Sequence, residues 1–251
     1  VSDLHDITLD ELWEGAPPSR GRFDPNALEG LPTPARRYLR HAIAEGAPLA
    51  AAVRLEMHGH IKLGKRWRPF EAEQVIRWDR GLIWKAKTKM GPLSIAGSDR
   101  LIDGQGAMRW KLLGVVPVMS AEGPDVTRSA AGRLEAESMW LPSVLLGDGI
   151  TWTAQDDTHA HVRVAVMGDE AELALTIDPE GRLRQTAMQR WGNPEGEAFH
   201  EAPFGAIVEE ESTFEGYTIP TKLRVGWHFD TPRFEAEGEF WRAEITAATY
   251  R

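Results

Sequence analysis

Four charged residues stand on the apolar side of segments that otherwise read as core. Asp99 shares a face with Ile95 and Leu101, Glu210 with Val208 and Phe214, and Arg242 with Phe234, Ala236 and Phe240. The fourth, Glu137, lies in a helical stretch with Arg133 one turn before it and Trp140 three residues after, so the three project from one side. A buried charge is costly unless partnered, so these residues are expected to meet one another. If Asp99, Glu137, Glu210 and Arg242 converge under the helix, a carboxyl there is pushed above its ordinary pKa. It can then act as a general acid or base, with Arg133 or Arg242 steadying a developing anion. The competing reading, which the sequence favours, is a structural ion-pair network that pins helix to sheet.

Tryptophan is the second anomaly, ten against eight Phe and three Tyr. Large indoles fill the gap inside a curved sheet, and they also line pockets for apolar ligands. Trp140 and Trp227 are the first candidates to face a cavity. Arg133, Arg190 and Arg242 are the basic residues placed to meet a ligand there. Other chemistry finds little support. His58/His60 and His159/His161 each put two imidazoles on one strand face, the spacing of a metal site. Both pairs alternate against apolar residues, with Arg54, Lys62 and Arg163 alongside, and so belong to wet faces; no metal is expected. Cys is absent, and no G-x-S-x-G or H-E-x-x-H motif occurs. Gly104-Gln105-Gly106 follows a strand but precedes another strand, leaving no helix N-terminus for a phosphate, so no nucleotide cofactor is expected.

The 251 residues suffice for a substantial core, and 42% hydrophobic with 27% charged residues is a globular composition. No apolar run approaches the length of a membrane helix. A formal charge of -9 disfavours nucleic acid as a partner. The opening VSDLHDITLDELWEG has neither a basic n-region nor an apolar h-region, which tilts the expectation toward the cytoplasm.

The elements that must position these residues follow from periodicity. Residues 1–30 are polar and Pro-rich, with one brief helical pattern at Leu9, Leu12 and Trp13, and read as an arm; residues 31–251 read as a single domain. A helix is expected over 34–45, with Thr33 as N-cap and Gly46 as terminator. From Ala51 the period changes to two: Val53, Leu55, Met57, Gly59, Ile61 and Leu63 alternate with polar residues. Further strands are expected over 70–79, 82–89, 93–102 and 107–113, then over 162–166, 172–177, 183–191, 206–215, 221–229 and 234–246. Asp79-Arg80-Gly81, Gly91-Pro92, Asp103-Gly104 and Asp178-Pro179-Glu180-Gly181 supply turns. Between the two runs, 125–146 reads as a helix with Asp125 or Thr127 as cap and Pro142 as its stop. Some eleven strands with hairpin-length links exclude a parallel α/β fold. A sheet of that size must curl. The fold class is therefore mainly β with a few helices: a large, strongly curved antiparallel sheet, a half-barrel or open barrel, with the central helix across its concave side.

The stretch Arg133-Leu134-Glu135-Ala136-Glu137-Ser138-Met139-Trp140-Leu141-Pro142-Ser143 resembles the most recognisable motif of a bacterial family of unknown function, the DUF6544 (DUF6920) type. Leu31 to Leu39 is similar to that family's first helix, Asp99 followed by Gly104 and Gly106 to its D-x4-G-x-G turn, and Gly216 to Pro220 followed by Trp227 to its closing strands. The chain departs at Gln189-Arg190-Trp191, where the family pattern is closer to Asp-Arg-Tyr. The resemblance implies one fold from Leu31 onward and no catalytic residue. Two functions remain beside a third reading, a purely structural or partner-binding domain, which the lack of a cavity would mark. One is binding of a small hydrophobic or amphipathic molecule in the concavity, by analogy with lipoprotein carriers and lipocalins. The other is cofactor-independent hydrolase, lyase or isomerase chemistry on Glu137, Asp99 or Glu210. A Trp-lined cavity without convergent carboxylates marks the first, and a cavity with two carboxylates and an Arg in reach marks the second.

Overall fold

The computed structural model describes residues 6–90 and 93–251. The chain begins with two helices, α1 (Leu9–Glu14) and α2 (Thr33–Ala42). Six strands follow: β1 (Ala52–Leu63), β2 (Arg66–Arg77), β3 (Gly81–Met90), β4 (Leu93–Ile102), β5 (Gln105–Leu112) and β6 (Val116–Glu122). Helix α3 (Pro124–Ala136) leads through two short 3-10 turns, Glu137–Trp140 and Pro142–Leu146, into the second run. That run is β7 (Thr151–Ala154), β8 (His159–Val166), β9 (Asp169–Ile177), β10 (Leu183–Gly192), β11 (His200–Phe214), β12 (Tyr217–Trp227) and β13 (Glu239–Tyr250).

All thirteen strands form one curved antiparallel sheet, in the order β6-β5-β4-β3-β2-β1-β13-β12-β11-β10-β9-β8-β7. Each run is a meander, and the two join at the middle through β1 and β13, from Val53 opposite Tyr250 to Ile61 opposite Trp241. Left-handed pairs close several hairpins: Asp103-Gly104, Met167-Gly168 and Glu215-Gly216 all have positive φ, the demand of a type I′ turn. Helix α3 links the two outer edges and crosses the concave side, touching β3 to β6 of one wing and β8 to β10 of the other. The core lies between it, α2 and the sheet.

The alternation in β1 is as expected, with Val53, Leu55 and Met57 buried and Glu56, His58 and His60 exposed. Two strands escaped the reading. β6 has no apolar face to bury, since Val116, Val118 and Met119 are all exposed, and β7 is only four residues long. Helix ends also differ. Thr33 is the first residue of α2 rather than its cap, and α2 stops at Ala42 because Ile43 turns extended to bridge Tyr217. Gly123 precedes α3, while the two expected caps serve the sheet: Thr127 Oγ1 accepts from the Gly106 N–H at 2.9 Å, and Asp125 Oδ1 from Trp191 Nε1 at 3.0 Å. Gly91-Pro92 lies outside the described residues. Within the expected arm, α1 buries Leu9 and Leu12 on the outer face of the sheet against Val75, Ile83 and Ile102.

Gly106 sets how closely α3 approaches. A Cβ there would stand 2.6 Å from Thr127 Cα, a backbone atom that cannot swing aside. Gly106→Ala should therefore lift the start of the helix and cost about 1–3 kcal/mol in chemical denaturation. An unchanged midpoint would show that the approach is not tight.

Candidate functional site

Under α3 lies a cavity of ≈270 Å³. One wall is indole, with Trp84, Trp140 and Trp241; the other is Phe204, Trp227 and Phe240. The rings touch in series: Trp110 to Trp84 and Trp84 to Phe70, then Phe70 to Trp241, each 5.7 Å between centroids, and Trp241 to Trp140 at 6.3 Å. Trp140 is fixed by its Nε1 donating to the Pro220 carbonyl at 3.1 Å. Trp227 packs against Gly192, where a Cβ would fall 2.1 Å from the ring.

Into this apolar space the fold brings Asp99, Arg133, Glu137 and Arg190. Helical spacing lets Arg133 Nε donate to Glu137 Oε1 at 2.6 Å. Gln74 Nε2 donates to the other oxygen, Glu137 Oε2. Arg133 Nη1 stands 3.5 Å from Asp99 Oδ2, and its guanidinium lies 5.2 Å over the Trp84 ring. Asp99 Oδ1 accepts from Trp110 Nε1 at 2.9 Å, an approach that needs the bare backbone of Gly97 beneath the indole. Burial pushes the Asp99 carboxyl up, against the charge of Arg133 and the Trp110 bond. Burial alone would lower Arg133, but Glu137 and Asp99 outweigh it and hold the guanidinium above its usual range.

Arg190 is held differently. Its Nε and Nη2 donate to one acceptor, the Ser129 carbonyl of α3, at 3.3 and 3.0 Å. Its plane lies 4.5 Å over Phe204 and 5.2 Å over Trp227. Burial and the nearby charge of Arg133 pull it down to about 10.

Glu210 and Arg242 do not join this group. The pairing of β11 with β12 slips on both sides of Glu210, and a bulge turns its side chain outward, where Lys222 donates to it at 3.0 Å. Residues 234–238 form a single π-helical turn instead of strand. β13 therefore starts at Glu239, and Arg242 falls on the outer face, 4.5 Å over Trp67. There it donates to Glu239, a carboxylate 1% exposed that also takes two bonds from Arg224, at 3.1 and 2.9 Å. Sequence reasoning missed Glu239 because it sat inside a presumed continuous strand; the Gly238 beside it was the only hint of an interruption. Gln74, also missed, is fully buried and is marked by being polar at an inward position of β2.

A larger concavity, ≈1520 Å³, runs along the outer face and is lined by His58, His60, Lys85, Lys87, Glu71 and Glu244, among others. Its charges are solvated cross-strand neighbours, so the buried groups single out the smaller cavity. Among the described residues, no group of three His, Asp or Glu is placed to hold a metal ion, and no helix is long and apolar enough to cross a membrane.

These features define a mainly β protein, an open curved sheet strapped by a helix over an aromatic cavity. The chain belongs to a family of unknown function, DUF6920, whose family model matches residues 29–250. No curated protein matches it. Among solved structures it is similar to a LolA superfamily protein of Nitrosomonas europaea, at 5% identity and a TM-score of 0.45, covering 87% of this chain and 92% of that one. It is also similar to a DUF1329 family protein of Desulfovibrio piger, at 10% identity and a TM-score of 0.43, covering 80% and 86%. A putative outer membrane lipoprotein-sorting protein domain of Vibrio parahaemolyticus matches at 6% identity and a TM-score of 0.42, with the same coverage.

Proposed function

We propose that the protein binds a small hydrophobic or amphipathic molecule in the cavity beneath α3. The observation that carries this reading is the lining: seven aromatic side chains, contributed by both wings of the sheet, the segment after α3 and Phe199 just before β11, surround a space of ≈270 Å³. That is just below the roughly 300–1,000 Å³ of drug-sized pockets, and it suits one short alkyl chain. Burial at about 0.8 kcal/mol per CH₂, less the cost of ordering, puts a ten-carbon chain in the range of about 10–100 µM.

Acid–base chemistry on Asp99 is the second reading, and it has the mark expected of it, two carboxylates, Asp99 and Glu137, with Arg133 in reach in one cavity; burial also raises Asp99. The bonding weighs against it. Both oxygens of Glu137 accept from fixed donors, and Asp99 is divided between Trp110 and Arg133, which is how a network that locks a helix is built. Ala130 of α3 lines the cavity. Ala130→Phe should fill it, and calorimetric titration with decanol should then lose at least about tenfold in affinity. Decanol binding equally to both proteins, or neither decanol nor a charged decyl amphipath binding the parent, would overturn the reading.

A further inference from the structure

Arg190 makes no salt bridge among the described residues, although Glu137, Asp99 and Glu135 act on it at longer range. Its only hydrogen-bond acceptor among them is the Ser129 carbonyl. Arg133, by contrast, is shared between Glu137 and Asp99. A guanidinium has a forked set of N–H donors, and one carbonyl takes up only the Nε edge; the N–H groups left on Nη1 and Nη2 form the edge that meets a carboxylate bidentately. Phe204 and Trp227 fix the plane, so little ordering remains to be done when an anion arrives. Trp84, whose ring also lines the cavity, is 3% exposed, and among the described residues its buried Nε1 has no hydrogen-bond partner.

We propose that the ligand is a single-chain amphipath with an anionic oxygen head, whose head is received by the free edge of Arg190 while its chain lies among the tryptophans. This rests on the binding function above and adds the class of ligand to it. The planar fork favours a carboxylate; an alkyl phosphate carries the same head chemistry and is separated by the test.

The full chain is titrated calorimetrically with decanoate, decyl phosphate, decanol and decyltrimethylammonium, and Arg190→Gln and Arg190→Lys are titrated alongside. Decanoate should bind at least about tenfold more tightly than decanol, the worth of one charge-assisted hydrogen bond, and the ammonium more weakly than either. Arg190→Gln should bring the decanoate-to-decanol affinity ratio from at least about tenfold to near one, whatever the change in decanol affinity itself, because both chains meet the same lining. Arg190→Lys, a charge without the fork, should keep part of it. Decyl phosphate binding more tightly than decanoate would assign the head to phosphate. If decanol and decanoate bind alike, or if Arg190→Gln leaves their ratio unchanged, the anion site is wrong while the binding function stands. If none of the four binds, that function fails as well.

Discussion

Arg133→Met is expected to remove about 3–5 kcal/mol of folding stability at pH 7. The side chain is one-fifth exposed, and its guanidinium is the cation facing both Glu137 at 2.6 Å and Asp99 at 3.5 Å. Its loss leaves two carboxylates in a space walled by indoles without their salt-bridge partner, and only Arg190, at longer range, to offset them. The penalty is one of stranding, not of a forfeited attraction. It should therefore shrink in acid, where Asp99, whose carboxyl burial already pushes up, takes up a proton, and Glu137→Gln added to Arg133→Met should recover part of it. Urea denaturation of the single and double variants at pH 7 and pH 5 measures both effects. A loss below about 1 kcal/mol at pH 7 would mean that solvent reaches the network and that it does not pin the helix.

Glu135→Gln should do the opposite and stabilise the protein at neutral and alkaline pH. Glu135 sits on α3 two residues from Arg133 but is not among the cavity residues. It is 1% exposed, and among the described residues Oε1 has no hydrogen-bond partner. Burial, then the charge of Asp169, raises its carboxyl to about 8 from an ordinary 4.5; Glu170 and Glu201 add to the rise, and Arg190 opposes it. Below pH 4.5 the folded and unfolded chains both hold the proton, and the residue contributes nothing to the difference. Between there and pH 8 the unfolded chain has released its proton while the folded one keeps it, so stability falls as pH rises. At about 1.36 kcal/mol per pH unit, the loss reaches roughly 3 kcal/mol at pH 7 and levels off above pH 8. Gln has the same shape and cannot ionise, so the variant should match the parent near pH 4 and exceed it by roughly that amount at pH 7. Parallel stability curves for the two proteins across pH 4–8 would contradict the burial assigned to this acid.

Strand rhythm was readable wherever one face is dry. Val53, Leu55 and Met57 of β1 and Val162, Val164 and Val166 of β8 alternate because every second residue meets the core. β6 was not readable because it meets no core, and alternation is a burial signal before it is a strand signal. Of the candidate site residues, Asp99, Arg133, Glu137, Arg190, Trp140 and Trp227 all line one cavity. The helical triad was legible from its i, i+4 spacing, and Asp99 from being acidic on an inward position. Glu210 and Arg242 were misplaced for a shared reason: a period-two count carries through a bulge or a one-turn interruption without registering it, and one residue of slip exchanges the faces. Glu135 went unnoticed because attention to one helical face hides the charge on the other.

The seam between β1 and β13 bears on how the chain is made. Synthesis delivers β1 first among the strands and β13 last, yet these two are neighbours at the centre, with Val53 beside Tyr250. Until the final strand leaves the ribosome, each meander carries an unpaired edge lined with open backbone groups. An incomplete nascent chain is thus two sticky half-shells, prone to pair with another such chain, and closure must wait on a contact that spans nearly the entire sequence.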